Sequence, residues 1–255
     1  MPPSWLAIKQ ARPDVTDYVI HWTRGQNAGK ERFEPLQVVK LIIKDGFLKP
    51  TFAPRSRFTV GGVANTIKGK HPAVCFTEQP LAAFIRSCRA QPGHYRPYGV
   101  AVRKDRLFVY GGRPVLYGDD QLFSALPEEL DYLWARFQPI PESGVGGYPL
   151  DFTHEREWRA RVKGYHYLSL GTSPGEGVPL LLPPNLEGSE WVLSLPWILV
   201  KEKAEADELS QWIAGLPPYS GSNGVLQRYF KDLPNVLIVP LDEVENHLKQ
   251  GDNRW

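Results

Sequence analysis

The chain has 255 residues, 42% of them hydrophobic and 23% charged, which suits one large or two small domains with a sizeable core and argues against extensive disorder. A formal net charge of +2 excludes an overall field strong enough to mark a nucleic-acid binder by itself. Two cysteines, Cys75 and Cys88, are too few for a disulfide framework and lack zinc spacing, and no segment reads as a secretion signal or reaches ~18 consecutive apolar residues, so a cytoplasmic protein with no membrane partner is expected.

Tyr18 to Thr23 reads as a short buried strand, followed by a turn over Arg24 to Lys30. Glu34 to Asp45 carries a helical apolar stripe at Leu36, Val39, Leu41, Ile42 and Ile43, with Gly46 at the C-cap. Lys49 to Pro72 has no apolar period and reads as a long loop. Ala73 to Thr77 suits a second buried strand, and Pro80 opens a helix over Leu81 to Arg89. Tyr98 to Val102 and Arg106 to Tyr110 read as strands joined by a Lys104-Asp105 turn, with a short strand at Pro114 to Tyr117. Glu128 to Phe137 is expected to be a helix burying Leu130, Leu133, Trp134 and Phe137. A loop over Gln138 to Pro149 leads to an acidic strand at Asp151 to Val162. Beyond Gly164, a Pro- and Gly-rich stretch precedes a strand in Trp191 to Val200, a helix over Ala204 to Ile213, a helix opening within Gly221 to Tyr229, a strand at Val236 to Val239 and a closing helix over Leu241 to Lys249. Strands that follow one another without an intervening helix favour an α+β fold.

Chemistry concentrates at His154-Glu155-Arg156-Glu157-Trp158-Arg159. Strand alternation would put Glu155, Glu157 and Arg159 on one face, and paired carboxylates carry a repulsion and desolvation cost that a reaction or a partner must justify. Arg156, Arg159 and Arg161 could equally pair with them on an exposed face, where such pairs contribute only about 0–1 kcal/mol. His21 and Thr23 share a face of the first strand and suit a ribose or carboxamide, with Arg24 beside them for a phosphate, although a histidine in an apolar strand also suits a satisfied core position. Arg55, Arg57, Lys68 and Lys70 surround Gly61-Gly62 and Asn65, a composition fit for a ligand loop or a solvated one. No Walker loop, dinucleotide glycine fingerprint, zinc spacing or serine elbow is present, and no metal is expected.

The order Tyr18-Val19-Ile20-His21-Trp22-Thr23, Ile43-Lys44-Asp45-Gly46-Phe47-Leu48, Val74-Cys75-Phe76-Thr77-Glu78 and Phe152 to Arg159 resembles bacterial ADP-ribosyltransferase-like proteins, DarT-like toxins and related abortive-infection proteins among them. The resemblance covers roughly residues 16 to 165 and implies a single domain over 1–255, with 166–255 as a C-terminal extension. It implies a split mixed β-sheet with flanking helices that holds NAD as substrate, and no metal. By position, His21 would hold a ribose, Glu157 would be the catalytic glutamate, and Glu155 the first acid of a Glu-x-Glu pair facing the acceptor. Phe76, Tyr98, Tyr110 and Tyr117 are candidates to stack on nicotinamide, and Arg57 or Arg55 to reach over the substrate. Thr23 and Arg24 would complete the NAD contacts.

The implied reaction is loss of nicotinamide through an oxocarbenium-like ribose, with Glu157 stabilising the developing charge and Glu155 taking the proton of the attacking nucleophile. The acceptor would be a macromolecule, in the first place nucleic acid, DNA or RNA, with Arg55, Arg57, Lys68, Lys70 and Arg86-Ser87-Cys88-Arg89 to contact phosphates, or equally protein, in a toxin or anti-phage role that implies an antitoxin protein as partner. Hydrolysis of NAD without an acceptor, a non-enzymatic interaction module on the same fold, and a nuclease using Asp151, Glu155 and Glu157, with Asp119-Asp120 if the fold brings them close, are the competing readings.

Overall fold

A computed structural model describes residues 12, 15–23, 26–28, 31–50, 73–90, 96–140, 149–161, 177–180, 196–216 and 237–252. In chain order these residues form β1 (Tyr18–Trp22), the β2 (Gln26–Ala28) and β3 (Glu31–Phe33) hairpin, α1 (Pro35–Asp45), β4 (Phe47–Leu48), β5 (Ala73–Thr77), α2 (Leu81–Ala90), β6 (Gly99–Arg103) and α3 (Lys104–Tyr110). They continue through β7 (Arg113–Pro114), β8 (Leu116–Gly118), α4 (Asp120–Ala125), a 3-10 turn at Glu128–Leu133, β9 (Trp134–Arg136), a second 3-10 turn at Thr153–Glu155 and β10 (Glu157–Arg161). The last elements are β11 (Val178–Pro179), β12 (Trp197–Val200), α5 (Lys203–Ala214), β13 (Ile238–Pro240) and α6 (Leu241–Asp252).

Among the described residues, seven strands make the main sheet, in the order β13-β12-β6-β1-β5-β10-β7. Every neighbouring pair is antiparallel except β12 and β13, so the fold is α+β with a mostly antiparallel mixed sheet and flanking helices. The β1–β6 ladder runs from Tyr18↔Arg103 to Trp22↔Gly99, and the β5–β10 ladder from Ala73↔Arg161 to Thr77↔Glu157. Between them, β1 and β5 meet at the single pair Ile20↔Thr77.

Both faces of the sheet are covered, as the apolar runs in β1, β5 and β6 require. On one face Val19, Phe76, Val100, Trp158 and Ile198 pack against Val39 and Ile43 of α1, Leu107 of α3 and Leu209 and Ile213 of α5. On the other, Ile20, Ala101 and Leu199 pack with Leu81 of α2 and Leu241 of α6. The amphipathic stripe of α1 begins at a capping box, in which the Gln37 side chain accepts from the Glu34 N–H at 2.8 Å. It ends at Gly46, whose φ of 76° is the left-handed conformation that favours glycine.

Three stretches differ from their sequence reading. Arg106 to Tyr110 lies in helix α3, not a strand, with Leu107 buried and Phe108 and Val109 exposed. Gly111, at φ 115°, caps that helix through its N–H to the Leu107 carbonyl. The expected helix over Glu128 to Phe137 is a 3-10 turn followed by β9, which pairs in parallel with β8 from Leu116↔Trp134 to Gly118↔Arg136. Leu130, assigned to a buried face, is exposed. Pro114 to Tyr117 divides between β7 in the main sheet and β8 in a separate pair. Residues 51–72, within the stretch expected to be a loop, and residues 141–148 and 217–236, including the helix expected within Gly221 to Tyr229, lie outside the described residues.

Candidate functional site

The acidic strand begins at Glu157. Thr153–Glu155 is a 3-10 turn, and Arg156 follows in the left-handed conformation, φ 47° and ψ 53°, the one non-glycine residue of that kind among those described. This break interrupts the alternation, so the expectation that Glu155 and Glu157 share a strand face is corrected: Glu155 ends the turn, at the margin of the sheet. The Thr77 hydroxyl donates to the Glu155 carbonyl and the Glu78 N–H to the Arg156 carbonyl at 3.1 Å, fastening the turn to the end of β5.

Glu157 and Arg159 do share a face. Arg159 Nε lies 2.8 Å from Glu157 Oε1 and Nη2 lies 2.9 Å from Oε2, a two-pronged ion pair whose cation is 1% exposed and whose anion is 15% exposed. Arg159 Nη1 donates to the carbonyls of Tyr132 at 2.8 Å and Trp134 at 2.7 Å. Burial disfavours the guanidinium charge, the Glu157 carboxylate more than offsets it, and the Arg159 pKa is raised above its ordinary value. The same neighbourhood holds Cys75 opposite Arg159 in the ladder, its thiol pushed well up by burial and by Glu157. That thiol is therefore protonated and unsuited to act as a nucleophile.

Tyr117 lies beside this carboxylate. Its hydroxyl accepts from the Glu157 N–H at 3.0 Å, and its pKa is pushed up to about 12, chiefly by burial. The other aromatic candidates are placed differently. Phe76 is buried in the core edge-on to His21, the Tyr98 hydroxyl donates to Glu205 Oε1 at 2.7 Å, and Tyr110 packs against the core.

The register decides where His21 points. Ile20, Thr77 and Glu157 form one cross-strand row and so project from one face; His21, one residue on, projects from the other, with Phe76 and Val100. The ribose histidine and the catalytic glutamate that the resemblance implies therefore leave the sheet by different faces. His21 Nδ1 lies 2.8 Å from the Cys75 carbonyl, which can only accept, so Nδ1 carries the proton and the imidazole spans the gap where β1 and β5 part. Burial lowers its pKa, against the opposing pull of that hydrogen bond, so the ring is neutral.

Two residues on from His21 and on the same face, Thr23, 2% exposed, keeps a hydroxyl with no hydrogen-bond partner among the described residues; Trp22 projects from the other face, where its Nε1 is likewise buried and unpaired. Trp22 stacks on Phe84 of α2, and the Thr23 N–H donates to the Tyr98 carbonyl at 2.8 Å. Arg24, Arg55, Arg57, Lys68 and Lys70 lie outside the described residues.

Sequence reading missed Glu78. It follows β5 on the face that carries Phe76 and His21, accepts from Trp158 Nε1 at 2.9 Å and from Lys104 Nζ at 2.7 Å, and is mostly buried. The alternation from Phe76 to Glu78 was the available signal. For the nuclease reading, Asp119 caps α4 through the Leu122 N–H at 3.0 Å and Asp120 pairs with Arg136, so neither joins Glu155 and Glu157. Among the described residues no group of His, Cys, Asp and Glu side chains could hold a metal ion, and no helix is long and apolar enough to cross a membrane.

Comparison of the chain with family models, with characterised proteins and with solved structures finds no match to any of them.

Proposed function

We propose that the protein breaks the nicotinamide–ribose bond of NAD and passes ADP-ribose to a macromolecular acceptor, DNA, RNA or protein, with Glu157 as the acting carboxylate. One observation carries the reading: three of the four segments of the resemblance fall on the adjacent strands β1, β5 and β10, the fourth on the end of α1 and β4, and β1 leaves β5 after one pair. A second supports it. The unpaired Thr23 hydroxyl lies on the strand face of His21, two residues on, and is a polar atom that a ribose or carboxamide would satisfy. Because His21 and Glu157 leave the sheet by different faces, the reading requires the dinucleotide to enter between β1 and β5, where His21 touches the Cys75 carbonyl and Glu157 neighbours the Cys75 thiol.

In the step itself the C1′–N bond breaks and nicotinamide leaves with the electron pair. The cationic ribose is stabilised by Glu157, and the acceptor's oxygen or nitrogen forms the new bond to C1′ while its proton passes to Glu155 or to water. An antitoxin that masks the enzyme belongs to the same proposal.

A non-enzymatic module on this fold is the second reading, and the ion pair favours it, because Arg159 already neutralises Glu157. Labelled NAD incubated with separate DNA, RNA and protein pools separates the two. Transfer proposes release of nicotinamide and label in one pool; release without label indicates hydrolysis, and no release by the wild type leaves the binding module. Glu157→Gln is expected to lower turnover by about 10²-fold or more. Wild-type turnover in Glu78→Gln together with loss in Glu157→Gln supports the assignment; loss in Glu78→Gln alone would move the acid to the face that carries His21.

A further inference from the structure

We propose that Arg159 is the positioning residue of Glu157, and that the main chain of Glu128–Arg136 sets that position. The inference rests on the reading of Glu157 as the acting carboxylate. Arg159 spends Nε and Nη2 on the two carboxylate oxygens and Nη1 on the carbonyls of Tyr132 and Trp134. A fork of this kind takes one lone pair from each oxygen and leaves the outer ones, so it fixes both the plane of the carboxylate and the edge it presents. At 1% exposure the guanidinium has no solvent to turn toward, and its direction is dictated by the carbonyls it bonds.

The β7–β8 segment, which pairs with that stretch through β9, grips the backbone of Glu157. The Val115 N–H donates to the Glu157 carbonyl at 2.9 Å, and the Tyr117 hydroxyl accepts from the Glu157 N–H at 3.0 Å. Tyr117 sits opposite Ala135 in the β8–β9 pair, next to the Trp134 carbonyl that anchors Arg159. Main chain and side chain of Glu157 are therefore referred to one structural unit, β7 through β9, and a partner that displaces Glu128–Arg136 would turn the carboxylate. Lysine at position 159 keeps the charge but offers a single ammonium in place of the planar fork, so it separates charge from orientation.

The test uses the full chain with Arg159→Lys and Arg159→Met, each checked for a cooperative thermal transition. Modification of Glu157 by a water-soluble carbodiimide, mapped by peptide mass spectrometry, is expected to run severalfold faster in Arg159→Lys than in wild type, because one carboxylate oxygen is released. NAD turnover is expected to show a lower kcat with KM near the wild-type value, and guanidinium ion is expected to restore part of the kcat of Arg159→Met. Equal carbodiimide rates in wild type and Arg159→Lys overturn the positioning role, as does faster modification with an unchanged kcat. Faster modification in a protein whose wild type leaves NAD intact removes the proposed reaction and retains the clamp, so the two failures are told apart. If Arg159→Met does not fold, Arg159→Lys alone decides both readouts.

Discussion

A neutral imidazole held against a carbonyl makes stability depend on pH in a definite direction. Burial lowers the pKa of His21 below its ordinary 6.5 in the folded chain, so the unfolded chain takes up the proton first as the solution is acidified. Stability from this group is complete above 6.5 and is lost as pH falls from there toward the lower folded value. Asparagine can place an amide N–H near the position of Nδ1 and does not titrate. His21→Asn is therefore expected to lose less stability than wild type between about pH 7 and about pH 5, measured as the shift in urea midpoint. An equal loss in both proteins would show that the ring is not enclosed. At the same scale, His21 is held by a structural bond to Cys75 whatever else it does, and Glu157 is oriented by Arg159, two residues along its own strand.

The elements were legible where local chemistry and tertiary demand agreed. The stripe Val39 to Ile43 with Gly46 as cap is α1, and the β-branched runs of β1 and β5 are strands. Reading failed where a short apolar run had two solutions. Arg106 to Tyr110 is apolar enough for a strand, but the core takes Leu107, with Tyr110 packed against it, and one short helix delivers both while Phe108 and Val109 stay exposed. Trp134 is buried by pairing β9 with β8, which no periodicity within Glu128 to Phe137 foretells. Close approach of β6 to β1 is equally invisible in the text of the chain. A methyl group on Gly99 would stand 2.7 Å from the His21 carbonyl oxygen and 2.9 Å from Trp22 Cε3. Gly99→Ala is therefore expected to cost about 1–3 kcal/mol by forcing the two strands apart, read by chemical denaturation. A neutral result would mean that the ladder from Tyr18 to Trp22 yields readily.

Across the whole molecule, a thin backbone seam is crossed by a thick core. The halves β13-β12-β6-β1 and β5-β10-β7 share the single pair Ile20↔Thr77. The largest apolar cluster nevertheless takes Val19, Val100 and Ile198 from one half and Val74, Phe76, Trp158 and Ala160 from the other. Burial of that shared surface couples the halves more strongly than one pair of backbone hydrogen bonds could. Tryptophan fluorescence and far-UV circular dichroism are expected to report one coincident unfolding transition. Two separated transitions would show that the seam divides the protein.

The amino-acid sequence by itself determined the α+β class, the central strands around His21 and Cys75, the capped helix α1 and the concentration of charge at 154–159, because each follows from side-chain periodicity or from the chemistry of adjacent residues. Tertiary structure alone decided which groups meet. Strand register put His21 and Glu157 on different faces, since a shift of one residue reverses a side chain's direction. The left-handed turn at Arg156 removed Glu155 from the strand, and main-chain carbonyls some twenty-five residues upstream aimed Arg159 at Glu157. Long-range pairing of backbone, not local preference, sets all of these.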